Sequence, residues 1–192
     1  MNKAVFLDRD GTLIEDVGYL SDEKDIRLLI GAAEAVSSLG KAGFKTVMIT
    51  NQAAIARGII SESRFGEINA KVLSQFLSHG AGFDGVYYCP HHPTEGKGKY
   101  LAKCSCRKPF PGMILKAAKE LGLDLSRSFM IGDRYKDIEA GINAGCKTVL
   151  VPTAGVKNAE EKSSARPDHL AKNILEAAEW VIADRRRSEG DN

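Results

Sequence analysis

The chain has no uninterrupted apolar stretch long enough to cross a bilayer. No basic and apolar leader precedes its first apolar strand, so a cytoplasmic protein without a membrane partner is expected. It also lacks a strong charge of either sign: 27 Lys and Arg against 25 Asp and Glu give a formal net charge of +2. That balance argues against a nucleic-acid binder and against an acidic tail, and any basic surface has to be local. There is no internal repeat, no second apolar core and no segment long enough for a large separate lid. Cysteine is scarce, four in 192 residues, yet Cys89, Cys104 and Cys106 lie close together while Cys146 stands alone as a small core residue. In a cytoplasmic chain such a cluster points to a metal rather than to disulfides.

What is present is an alternation of strands and helices over one domain, residues 1–192. Apolar runs at Ala4–Leu7, Lys45–Ile49, Phe83–Tyr88, Ser128–Ile131 and Lys147–Val151 read as five strands. Helical spacing appears in Ile30–Leu39, Ser61–His79 (Ser61 as N-cap), Met113–Leu121, Tyr135–Ala144 and Ile174–Ile182. Arg185, Arg186 and Arg187 read as a frayed, solvated end. This alternation predicts an α/β three-layer sandwich around a mainly parallel, Rossmann-like sheet, with no large cap domain.

Polar residues gather where strands end. The first strand runs into Asp8-Arg9-Asp10-Gly11, the second into Thr50-Asn51-Gln52 and the fourth into Gly132-Asp133-Arg134. In open α/β sheets ligands bind beyond the carboxyl ends of the strands, so these side chains stand where chemistry is expected. If extended geometry persists, Asp8 and Asp10 point roughly the same way with Arg9 on the other side. Two carboxylates that close repel, and a compensating charge is required.

Residues 89–108 have neither helical nor strand period, and a loop that long in a compact domain is either functional or held by something. Cys89, His91, Cys104 and Cys106 make a closed four-ligand set suited to structural Zn²⁺, His91 being preferred over His92. Zinc would explain how an irregular segment holds Arg107 and Lys108 in place. The alternative is a set of buried, reduced thiols beside surface histidines.

The stretches Asp8-Arg9-Asp10-Gly11-Thr12, Ile49-Thr50-Asn51, Arg107-Lys108-Pro109 and Gly132-Asp133 together resemble the haloacid dehalogenase superfamily of phosphatases. The likeness runs from residue 4 to about 155. It implies Asp8 as the nucleophile that forms an aspartyl-phosphate and Asp10 as general acid and base. It further implies Mg²⁺ held by Asp8, the Asp10 carbonyl and Asp133, with Asp137 on a metal-bound water, and Thr50 and Lys108 on the transferring phosphoryl group. A zinc loop before Arg-Lys-Pro is similar to two branches of the superfamily, acting on heptose bisphosphates and on histidinol phosphate. Thr50–Gly58 and Gly18-Tyr19-Leu20 look more like the heptose branch, which often has Ser-Gly where this chain has Ala53-Ala54.

The expected partner is therefore a small sugar bisphosphate, handled by a monomer that removes the 7-phosphate of heptose 1,7-bisphosphate. Asp16, Val17, Gly18, Tyr19, Asn51, Gln52 and Ala53 would line the sugar, and Arg107 and Arg134, with Arg57 as a weaker candidate, would meet the second phosphate. A zinc-bearing nucleic-acid module using Lys97, Lys99, Lys103, Arg107 and Lys108 is the rival from another class, and it lacks interleaved aromatics. A polynucleotide 3′-phosphatase shares the opening motif, but the zinc loop argues against it.

Overall fold

The computed structural model describes residues 2–152 and 163–190. Residues 153–155, where the family likeness tails off, lie outside them, as do the ends of the 1–192 span. Six parallel strands form one sheet: β1 (Ala4–Leu7), β2 (Lys45–Asn51), β3 (Gly85–Cys89), β4 (Phe129–Gly132), β5 (Lys147–Leu150) and β6 (His169–Leu170). Their order is β3-β2-β1-β4-β5-β6. The chain winds outward from β1 on one side, then crosses back and winds outward on the other. The crevice beyond β1 and β4 is thus the topological switch point where ligands bind in this kind of sheet.

The sheet is buried on both faces, as its near-continuous apolar strands require. Period-2 alternation sends Val5 and Leu7 of β1 into one core and Ala4 and Phe6 into the other. The first core is closed by α1 (Ala32–Lys41), α3 (Glu62–Ser78) and α6 (Ile174–Glu189), and the second by α4 (Gly112–Leu121) and α5 (Tyr135–Ala144). Fully buried side chains such as Phe6 and Leu7 each contribute about 1.5–3 kcal/mol. Cys146 packs in the second core, where burial pushes its thiol up to about 12.

Ser61 caps α3 as expected, its hydroxyl accepting from the Arg64 amide at 3.0 Å. Helix α1 starts two residues later than its apolar spacing suggests, because Gly31 takes φ 80° and a Cβ there would lie 2.5 Å from Leu175. Two further differences follow from partners distant in sequence. The two-residue strand β6 extends the sheet, fixed by the Asp168 carboxylate, which accepts from the Thr148 amide at 2.7 Å. The Arg185–Arg187 segment is not a frayed end but the last turns of α6. Arg185 donates to the Ala42 carbonyl at 2.6 Å, cations there suit the helix dipole, and Gly190 at φ 73° ends the helix.

Between β1 and α1 there is only a loop with a single 3-10 turn at Glu23–Asp25, and among the described residues no cap domain covers the switch point. Among the described residues no helix is long and apolar enough to cross a membrane.

Candidate active site

The parallel register sets the ends of β1, β2 and β4 side by side, Leu7 pairing with both Met48 and Ile131, and the Asp8 amide continues the ladder to the Ile131 carbonyl at 3.0 Å. Asp8 therefore leaves the sheet beside Asp133, which follows β4 directly. Asp8, Asp133 and Asp137 are all buried, and each turns an oxygen to within 4.8 Å of the others. Asp137 reaches them from the first turn of α5, where its second oxygen accepts from the Arg134 amide at 3.1 Å.

One ammonium answers these acids. Lys108, a residue only 3% exposed, places its Nζ 2.7 Å from Asp8 Oδ1 and 2.7 Å from Asp137 Oδ1, with the Ile49 carbonyl at 3.3 Å. Burial works against its charge, but the Asp137 and Asp8 carboxylates outweigh that and hold its pKa above the ordinary lysine value. Its backbone is fixed by a reciprocal amide pair: Asn51 Nδ2 donates to the Lys108 carbonyl and the Lys108 amide donates to Asn51 Oδ1, each at 3.1 Å. Asn51, expected as a sugar contact, thus spends its amide on seating Lys108.

Asp10 has a different set of partners. Its carboxylate accepts from Arg9 Nε at 3.1 Å and Nη2 at 2.9 Å, from Gln52 Nε2 at 3.0 Å and from Thr50 Oγ1 at 3.3 Å. Arg9 does not lie on the far side of the strand, as an extended backbone predicts. The chain turns after Asp8, with the Leu13 and Ile14 amides returning to the Arg9 carbonyl, and the guanidinium folds back under Asp10. There it sits 5.5 Å from the Phe65 ring centroid, with Nη1 3.5 Å from Asn69 Oδ1, and is 1% exposed. The counter-charge for Asp10 is therefore supplied within the motif, while that for Asp8 comes from Lys108. Asn69, a polar residue on the apolar face of α3, is the sequence signal for a buried partner such as Arg9.

The donor set fits a divalent cation. When all three buried carboxylates are ionised, one ammonium leaves two negative charges, and among the described residues neither Asp133 oxygen has a hydrogen-bond partner, Arg134 Nε standing 3.7 Å away. Burial first, and then Asp8 and Asp137, push the Asp133 carboxyl up to about 8. Gly11 (φ 86°) leaves room for this group: a Cβ there would lie 2.4 Å from Asp133 Oδ2. Oxygen ligands with space for waters suit Mg²⁺.

In the 89–108 loop Cys106 Sγ lies 3.0 Å from Cys89 Sγ, 3.2 Å from Cys104 Sγ and 3.4 Å from His91 Nδ1. Tetrahedral zinc with Zn–S near ~2.3 Å has ligand–ligand edges of roughly 3.5–3.8 Å, so the four atoms need to spread only slightly to hold it. Hydrogen bonding with Cys89, and then with His91, pulls Cys106 down to about 5. His92 is excluded as a ligand through Nδ1, which accepts from the Glu95 amide at 3.0 Å.

A cavity of about 360 Å³ opens above Asp8. Its walls bring together Asp10, Asp16, Gly18, Tyr19, Thr50, Asn51, Gln52, Ala53, Arg107, Lys108 and Arg134, with Arg57 and His92 at the side. Val17 is not among the lining residues and is 47% exposed. Arg9 and Lys136 also line it, so six cationic side chains face three acids. Arg107 donates to the His91 carbonyl at 3.0 Å, and Arg134 to Asp16 Oδ2 at 2.8 Å.

A strand-end carboxylate backed by a buried lysine, beside an acid cluster fit for Mg²⁺, defines a haloacid-dehalogenase-like hydrolase, and residues 105–177 match the HAD-hydrolase-like family model. Among curated proteins, the D-glycero-beta-D-manno-heptose-1,7-bisphosphate 7-phosphatase of Pasteurella multocida is 46% identical over 182 residues, 94% of this chain and 97% of that one. The protein of the same name from Escherichia coli K12 is 38% identical over 93% of this chain and 87% of its own. The chain belongs to this heptose-bisphosphate phosphatase family. Among solved structures, D,D-heptose 1,7-bisphosphate phosphatase from B. bronchiseptica, complexed with magnesium and phosphate, aligns with a TM-score of 0.81 at 27% identity, covering 95% of this chain and 99% of that one.

Proposed function

We propose that this protein removes the 7-phosphate from D-glycero-β-D-manno-heptose 1,7-bisphosphate, working as a cytoplasmic monomer and as one domain over its whole length. The observation that carries the reading is the cavity itself: Asp8 at its floor, Lys108 beside it, and Arg107 and Arg134 on its walls for a second phosphate. The names of its relatives supply the heptose and the β anomer. The reducing interior of a cell suits a cluster of free thiols.

In this reading Asp8 attacks the 7-phosphorus in line, and the leaving sugar alkoxide takes a proton from Asp10. Water, deprotonated by Asp10, then cleaves the aspartyl-phosphate. As placed, Asp10 accepts from Arg9, Thr50 and Gln52 and donates to none, the arrangement of a base. Its acid role requires the proton it gains in the second step to be carried into the next turnover. Lys108 and the Thr50 hydroxyl hold the phosphoryl oxygens, while Asp16, Gly18, Tyr19 and Ala53 border the sugar. Asp8, Asp133 and the Asp10 carbonyl would hold Mg²⁺, with Asp137 on a bound water; when bound, the ion neutralises charge on the phosphoryl group. Cys89, His91, Cys104 and Cys106 would hold Zn²⁺, which fixes the loop that delivers Arg107 and Lys108.

Phosphorus NMR of the purified protein with the β-bisphosphate should show loss of the 7-phosphate and accumulation of the 1-phosphate. Faster turnover of histidinol phosphate or of a 3′-phosphorylated oligonucleotide would show that the substrate is wrong.

A further inference from the structure

Two loops that are far apart in sequence face each other across the cavity mouth, and Arg57 touches both. It is the residue that ends the four-residue helix α2 (Ala53–Ala56), which follows the catalytic end of β2. Helix α2 is a firm base, since Ala54, Ile55 and Ala56 are buried and the Ala56 carbonyl accepts from the Lys97 amide at 2.8 Å. On one side the Arg57 guanidinium lies 5.3 Å from the ring centroid of Tyr19, in the loop tied to Arg134 through Asp16. On the other it is ion-paired with Glu95, and the Glu95 backbone is held by His92 of the zinc-bearing loop. A planar guanidinium can present its face to a ring and its edge to a carboxylate at the same time, which an ammonium cannot.

We propose that Arg57 is a positioning residue. It latches the Asp16–Leu20 loop to the zinc-bearing loop and so sets the fit of the substrate's distal, non-reacting end. This inference rests on the bisphosphatase reading above for its substrate, but the latch can be read without any substrate. The alternative role, direct ligation of the distal phosphate by Arg57, predicts the opposite sign for Glu95. A carboxylate paired with the guanidinium would then compete with phosphate, and its removal would tighten binding. In a latch, its removal loosens the Tyr19 loop and weakens binding.

The test compares E95A, R57A and R57K with wild-type holoenzyme carrying its zinc. Glu95 itself does not line the cavity. For the heptose bisphosphate, E95A should raise KM about 5- to 10-fold and R57A more, with kcat for E95A within about twofold of wild type. R57K should recover little of the loss. For p-nitrophenyl phosphate, which has no distal phosphate, E95A should leave kcat/KM unchanged. Amide hydrogen exchange of residues 17–20, measured without substrate, should speed up in both R57A and E95A, although the hydrogen bonds and ion pairs of Glu95 run to Arg57 and His92. Unchanged exchange at 17–20 in E95A, or a lower KM in E95A, overturns the latch. Faster exchange in a protein that does not turn over the heptose bisphosphate at all would uphold the latch and refute the substrate.

Discussion

Replacing Lys108 with methionine keeps an unbranched apolar stem, one atom shorter, and removes the ammonium, in a place where that charge serves two carboxylates. Its ammonium is 2.7 Å from both Asp8 and Asp137 and is screened by almost no water. Removing one partner of a buried ion pair costs about 3–5 kcal/mol, because the other charge stays buried and unanswered. With two carboxylates stranded, and Asp133 beside them, the upper end of that range applies at about pH 8. At about pH 5.5 the penalty should shrink. The intact site already holds one proton there, on an Asp133 pushed up to about 8, and the stranded acids of the variant take up a second that the unfolded chain does not hold. The folded state of the variant then binds more protons than the unfolded state, so its stability falls as pH rises. One such proton is worth about 1.4 kcal/mol per pH unit, up to about 3 kcal/mol across this interval.

The same charge count predicts that K108M binds Mg²⁺ more tightly than wild type, since the cation is asked to replace the missing ammonium. Turnover should nevertheless fall by ~10²–10³, the usual cost of losing a donor aimed at the transition-state charge. Urea unfolding at the two pH values, with and without Mg²⁺ and with zinc content held constant, reads all three terms beside a phosphate-release assay. Equal destabilisation at both pH values, or a stabilisation by Mg²⁺ no larger than in wild type, refutes this account of the site.

Other consequences are more local. D8N should lose turnover by at least ~10³-fold with an unchanged circular-dichroism spectrum, since the amide is not a nucleophile; substantial residual activity would remove Asp8 from that role. In Mg²⁺-free buffer, wild-type stability should decline as pH rises from about 5.5 to 8, because the raised Asp133 pKa means the native state holds a proton that the unfolded chain has lost above about pH 4. The gain in Tm on adding Mg²⁺ should therefore be larger at pH 8 than at pH 5.5, and a flat profile contradicts the charge assignment. C104S should lose its zinc and, with it, activity through Lys108. Atomic absorption finding about one zinc per wild-type chain and much less in the variant checks the first step, and zinc-free wild type sinks the idea.

The acids, Thr50 and Lys108 were legible in the chain because each stands at the end of an apolar strand or shortly before or within the first turn of a helix, and strand ends in a parallel sheet share one rim. The cluster of Cys89, His91, Cys104 and Cys106 was legible because a segment without helical or strand period has no apolar face of its own in which to bury three cysteines. The choice of His91 over His92 gains its physical reason from the Glu95 amide, which occupies His92 Nδ1. Strand β6 and helix α2 were not legible, since elements of two and four residues are too short to show a period.

What sequence spacing could not reveal was partnership across distance. Asn51 looks like any polar strand end, and only the folded chain shows both atoms of its amide engaged with Lys108, 57 residues away. Arg9 sits inside the most recognisable motif of the chain and was still assigned to the wrong side, because alternation along a strand was extended past the point where hydrogen bonding turns the backbone. The repulsion between Asp8 and Asp10 is divided between two cations of different origin, Lys108 for the first and Arg9 for the second. In the proposed mechanism that division lets the two carboxylates do different work. The acid paired with Lys108 stands with Asp133 and Asp137, while the one paired with Arg9 is kept in a separate hydrogen-bond network with Thr50 and Gln52. A motif of two like residues acquires two roles only when the fold gives each its own counter-charge.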